Sequence, residues 1–242
     1  SLTEAGRVLW DEAEAILKRV DSAIAATRTA ARGGKGELRV GYAPSPTARL
    51  LPATLRAFQT EEPGVRVLLH DLSTEEMLAR LGDGSLEIAL LVRPERTMMR
   101  GLKFEELAQD AIRVAVAPGH PFAKRRMVKL EEVARERLLA YSREGYPEYH
   151  ESLVQLFGKG RKAPRIAEEH DGINSLAAAV AAGSGVALVS ESVACLAGPR
   201  VKLIPISPAP KRLVIGAAWK ASALTPVAEQ FLKHARIAAA AP

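Results

Sequence analysis

The first 36 residues hold two rhythms that one compact domain cannot satisfy together. Residues 1–32 repeat in sevens: Leu2, Leu9, Ile16, Ala23 and Ala30 fall on one row, and Gly6, Ala13, Val20 and Thr27 on the row four residues later. Sustained for about four heptads, this is an a/d seam with small residues on one row, widened by Trp10, Leu17 and Ile24. Gly33, Gly34 and Gly36 end it, and the strand-like GELRVGY (36–42) begins. A helix of about 30 residues is ~45 Å long at ~1.5 Å per residue, longer than a small domain is wide. Its stripe needs another helix, best supplied by a second copy of the chain, so a dimerising helix and a separate globular body are expected. A long helix folded back on its own body is the alternative.

The body has the means to build a core, since the 242 residues are 48% hydrophobic. No apolar run reaches the length of a membrane span, and no basic segment followed by an apolar one marks secretion. The single cysteine, Cys195, excludes an internal disulfide, and with the preceding points favours a cytoplasmic setting. Its surroundings, SVACLAG, predict a packing role. The formal net charge is +6, but the basic clusters Lys124-Arg125-Arg126 and Lys159 to Lys162 lack interleaved aromatics and read as solvated surface. No helix-turn-helix, zinc-finger or RNA-binding signature is present in the 242 residues.

After the glycines, strands and helices alternate. LRVGY (38–42), VRVLLHDL (65–72) and LEIALLV (86–92) read as strands; Leu50 to Thr60 and a segment opening at Ser73 or Thr74 read as helices. A hydroxyl followed by Glu75-Glu76 is a helix start, and Gly82 and Gly84 end that helix. A second unit runs from strand 112–118 through strand 137–141, helix 149–157, strand 165–170, helix 173–182 and strand 186–190. Strands 201–206 and 212–219 and a helix over 226–238 close the chain. The expectation is an α/β fold: two units, the last segment returning to the first, and a cleft at the carboxyl ends of the strands.

Catalytic signals are missing. The five histidines have no metal-ligand spacing, and no phosphate-cradling glycine motif or nucleophile elbow occurs; AGSGV (182–186) reads as a helix end turning into a strand. His150-Glu151 and Glu168-Glu169-His170-Asp171 read as polar surface. Neither a metal, a cofactor nor an enzymatic activity is expected.

Several segments together resemble LysR-type transcriptional regulators. SLTEAGRVLWDEAEAIL (1–17) is similar to the junction between that family's winged helix-turn-helix domain and its linker helix. GELRVGY, LLPATLRAFQTEEPGV (50–65), LLHDLSTEEMLARLGDGSLEIAL (68–90), HPFA (120–123) and VAAGSGVALVS (180–190) follow in family order. Glu87 stands where Asp is commoner, and Phe122 where Leu is commoner. The resemblance implies a type 2 periplasmic-binding-protein-like effector domain: two Rossmann-like lobes and a cleft, preceded by a long linker helix. Residues 1–35 would be the linker helix and glycine hinge, 36–111 with 213–242 one lobe, and 112–212 the other. It also implies dimers or tetramers through the helix and effector domains, a small-molecule inducer, and DNA contact only through a domain ahead of residue 1.

Among the family, the segments look most like regulators of aromatic-compound degradation, which sense carboxylated aromatics or ring-cleavage products. Matching GYAPSPTARLLP (41–52) carries the effector-contacting serine onto Ser45, and LHDLSTEEML (69–78) carries the threonine onto Thr74 as the cap of its helix. YSREGYPEYHESL (141–153) carries a proline and an aromatic contact onto Pro147 and Tyr149. Such hydroxyls beside helix N-termini suit a carboxylate without an arginine. Helix capping explains Ser45 and Thr74 equally well, and packing explains Tyr149. A solute-binding protein of a transporter and an enzyme on the same two-lobed fold remain open; the first would carry a signal peptide, and the second an acid–base cluster or cofactor cysteine.

Overall fold

The computed structural model describes residues 2–10, 13, 16, 17, 20, 36–158 and 165–240. Residues 4–10 form a helix, α1, and 13, 16, 17 and 20 are helical as well. The apolar stripe here is open: Leu9 is 71% exposed and Trp10 63%, with Leu2, Ile16, Leu17 and Val20 also exposed. The rest of the seam, most of the glycine joint and the basic segment 159–162 lie outside the described residues.

The body is built on two sheets. The first has the order β2-β1-β3-β11-β4, from Arg66–Asp71 (β2), Glu37–Tyr42 (β1), Ile88–Val92 (β3), Leu213–Lys220 (β11) and Leu102–Asp110 (β4). β1 runs parallel to β2 and β3, as strands joined by helices do, whereas β11 is antiparallel to both neighbours. β3 shows why this sheet is covered on both faces. Its Ile88 and Leu90 pack with Phe58 of α3 (Leu50–Glu61) and Phe231 of α9 (Pro226–Ala240), while Ala89 and Leu91 pack with Met77 and Leu81 of α4 (Thr74–Asp83). A strand buried on both faces reads as one continuous apolar run. Gly41 in β1 allows α4 this close: a Cβ there would lie 2.7 Å from Leu86 Cδ1 and 3.0 Å from Met77 Cγ.

The second sheet has the order β6-β10-β5-β9-β7-β8, from Val128–Lys129 (β6), Lys202–Ser207 (β10), Ile112–Val116 (β5), Val186–Ser190 (β9), Leu138–Tyr141 (β7) and Ile166–His170 (β8). One face packs on Leu153 and Phe157 of α6 (Pro147–Phe157), the other on Leu176 and Val180 of α7 (Ile173–Ala181). The chain passes between the sheets twice, from β4 into β5 and from β10 into β11.

Three local readings are corrected, and one strand, β4, stands where the sequence analysis assigns no element. The cap of α4 is Ser73, whose hydroxyl accepts from the Glu76 amide while the Glu76 carboxylate takes the Ser73 amide; Thr74 is the first helical residue. β4 falls in a stretch that showed no alternation, because Glu105 and Glu106 interrupt it; Glu105 is neutralised by a bidentate pair with Arg236 of α9 at 2.6 and 2.7 Å. Cys195 is exposed, on the four-residue helix Ala194–Ala197, rather than packed. His150 is buried rather than surface, its Nε2 lying 2.7 Å from the Tyr141 carbonyl oxygen.

Candidate functional site

Between the two sheets lies a cavity of about 80 Å³. Ser45 enters it from the short helix α2 (Pro44–Thr47), which follows β1, and Thr74 from the first turn of α4, which follows β2. Tyr141 ends β7, and Tyr146, Glu148 and Tyr149 surround the start of α6. Ile112 and Leu213, beside the two crossings, complete the floor. The site thus takes the carboxyl ends of strands from both sheets, where open α/β sheets leave room for ligands.

Two short side-chain hydrogen bonds span the sheets at the cavity wall, beside a longer one from the Ser190 hydroxyl to the Ser45 carbonyl oxygen at 3.4 Å. The Ser45 and Tyr141 hydroxyls are 2.9 Å apart, and the Thr74 hydroxyl donates to Glu148 Oε1 at 2.8 Å. Behind Ser45, the buried Asp110 closes the crossing. It accepts from the Ser190 hydroxyl at 2.8 Å, the Ser192 amide at 2.9 Å and the Ala111 amide at 2.9 Å, so its carboxylate is satisfied.

Burial dominates the electrostatics. Glu148 is 7% exposed, and loss of water pushes its carboxyl up to about 7; the Thr74 hydroxyl, which favours the charged form, opposes this. Its second oxygen, Oε2, is buried and has no hydrogen-bond partner. Burial likewise raises the Tyr141 hydroxyl to about 12, against the Ser45 hydrogen bond. Tyr146 and Tyr149 are also held above the ordinary phenol range by burial. The three tyrosines cluster: ring centroids are 4.9 Å apart for Tyr141–Tyr146 and 5.0 Å for Tyr141–Tyr149, the latter edge to face. Among the described residues no group of acids, histidines or cysteines could hold a metal.

Of the four residues singled out in the sequence, Ser45, Thr74 and Tyr149 line the cavity together. Pro147 does not; it occupies the first position of α6 and presents its neighbour Glu148 instead. The sequence reading missed Glu148, Tyr141 and Ser190. The position of Tyr141 and Ser190 at strand ends is the one signal that pointed to them. An acid in the first turn of a helix is an ordinary feature, so Glu148 carried no signal at all.

An α/β body of two sheets with a cavity between them has the two-lobed fold of the periplasmic-binding-protein type. The family described as LysR substrate binding domain matches residues 31–240, and the chain belongs to it. The transcriptional regulator TcbR of Pseudomonas sp. (strain P51) is 28% identical over 237 residues, covering 97% of this chain and 79% of that protein. The crystal structure of CbnR, a LysR family transcriptional regulator, superimposes with a TM-score of 0.78 at 27% identity, over 99% of this chain and 82% of that one. Two effector binding domains share the fold. That of QuiR in complex with shikimate has a TM-score of 0.74 at 17% identity, over 84% and 96% of the two chains. That of BenM with its effector benzoate has a TM-score of 0.70 at 20% identity, over 84% and 92%. The curated relatives are transcriptional regulators rather than enzymes, so the chain is part of a regulator and the transporter and enzyme alternatives fall.

Proposed function

We propose that this chain is the effector-sensing and oligomerising part of its regulator, and that the inducer is a small organic molecule held in the cavity between the sheets. The observation that carries this is the pair of cross-sheet hydrogen bonds, Ser45–Tyr141 and Thr74–Glu148, which face the cavity from opposite lobes. A molecule that replaces or reinforces them shifts the balance between lobe arrangements by its differential affinity, and so reaches the DNA-binding end. Residues 36–111 with 213–242 act as one lobe and 112–212 as the other. Ser45, Thr74 and Tyr149 are the contacts.

Residues 1–35 join the sensor to a DNA-reading domain. The exposed stripe Leu2, Leu9 and Ile16 supports a role for this segment in pairing two copies as a dimer, and the effector domains extend that to a tetramer. The setting is cytoplasmic, where a transcriptional regulator works; no helix among the described residues is long and apolar enough to cross a membrane. A small, ring-sized inducer is supported by the benzoate and shikimate complexes of the related domains. The test is a thermal-shift screen of aromatic and dicarboxylic acids, their neutral analogues and the corresponding amines. A stabilising compound is expected, with the shift abolished in a Ser45→Ala, Thr74→Ala double variant; a full response in that variant removes the site. Light scattering is expected to show a dimer or larger species, and a clean monomer at high concentration removes the pairing role.

A further inference from the structure

The cavity has an asymmetry that the effector reading leaves unused. Of its lining residues, none is Lys, Arg or His, and Glu148 is the only acid. One carboxylate oxygen, Oε1, takes the Thr74 hydroxyl at 2.8 Å; the other, Oε2, is buried without a partner. An orphaned buried carboxylate oxygen is costly, and it is relieved by a donor, best of all a charged one. Three tyrosine rings stand beside it, Tyr141 in contact with both Tyr146 and Tyr149, and aromatic rings attract cations. The surrounding field has the same sign: Asp71 and Glu76 both act on the Tyr146 hydroxyl to disfavour its ionisation. The remaining wall, with Val92, Ile112, Leu156 and Leu188, is apolar and suits a hydrocarbon ring.

We propose that Glu148 is the specificity-determining residue of this cavity, and that it selects an effector bearing a protonated amine on a small apolar or aromatic skeleton. The ammonium pairs with the Glu148 carboxylate while the tyrosines flank it and the skeleton fills the apolar end. A ligand carboxylate in the same place meets an acid and no compensating cation, so free acids are rejected unless Glu148 carries the proton. This rests on the cavity being the effector site, and deepens that reading by naming the ligand class.

The test uses three matched probes, benzylamine, benzyl alcohol and benzoate, titrated by calorimetry into the 242-residue chain and into Glu148→Gln at about pH 8, where the acid is ionised. In the unaltered chain benzylamine is expected to bind at least about tenfold more tightly than benzoate, with the alcohol between them, as for a charge-assisted hydrogen bond. In Glu148→Gln the amine preference is expected to vanish and benzoate to gain. Tightest binding of benzoate by the unaltered chain, or an order of affinities unmoved by Glu148→Gln, overturns the assignment. Leu156→Trp plugs the cavity, and Ser152→Leu is a gentler plug should the first not fold. If benzoate binds best and both plugs abolish it, Glu148 is not the selector and the cavity remains the effector site. If binding survives the plugs, or no probe binds, the cavity reading falls and the assignment falls with it.

Discussion

The two bridges across the cavity look alike in outline and differ in chemistry. Ser45 and Tyr141 are both neutral hydroxyls, each able to give and to accept, and at 2.9 Å one gives to the other, so neither oxygen lacks a partner. Thr74 and Glu148 make an equally short contact, but the carboxyl has a second oxygen without a hydrogen-bond partner among the described residues. The first bridge is a closed account between the sheets. The second is half of one. Its cost is visible in the carboxyl itself, which burial raises to about 7 despite the hydroxyl that favours ionisation. The lesson is that hydrogen-bond length does not rank such contacts; what remains unpaired at each end does.

The contrast can be broken most forcefully through pH. Below about pH 4.5 the Glu148 carboxyl is neutral in both folded and unfolded chains, so it adds no penalty. As pH rises from there through about 7, the unfolded chain releases its proton first and stability falls. The loss is complete above that range and is on the order of 3 kcal/mol. Urea unfolding across this range is expected to show the decline, and Glu148→Gln to flatten it by that amount; parallel profiles for both proteins would place the carboxyl in water. Thr74→Val comes next. It leaves both oxygens of Glu148 without a partner, and a cost of about 2 kcal/mol near neutral pH is expected, together with a further rise of the Glu148 pKa. The carboxyl band in infrared difference spectra of the valine variant would report that rise. Smallest is Ser45→Ala, which strands only a neutral phenol: about 1 kcal/mol, with no pH dependence beyond that of the unaltered chain. A loss in Ser45→Ala equal to that in Thr74→Val would erase the distinction between the bridges.

Much of this architecture is legible in the sequence where the determinants are local. The capping box, the acids of the first turn and Gly84, whose φ of 80° ends the helix, all lie within α4, so its span was readable even though the cap fell on Ser73 rather than Thr74. β4 is the opposite case. Its partner β11 lies about a hundred residues on, and the Glu105 that spoils its pattern is tolerated only because Arg236 comes to meet it. His150 and Glu148 were hidden for a related reason: a polar residue near a helix start looks like surface until packing buries it, His150 against the Tyr141 carbonyl of its own sheet and Glu148 against Thr74 of the other. Ser45 and Thr74 were reached through family resemblance; without it their residue types say only that helices begin nearby.

The double crossing between the sheets sets an order of events for a chain emerging from a ribosome. The second sheet is built from one continuous stretch, β5 to β10, and can assemble as soon as that stretch is free. In the first sheet β11 sits between β3 and β4, so β3 waits with one edge unpaired and β4 with both, until residues 213–220 arrive. Leu213 is also part of the cavity wall. The cavity is therefore among the last features the molecule completes. A nascent chain stalled before β11 is expected to protect the second sheet from proteolysis while leaving β3 and β4 open to it.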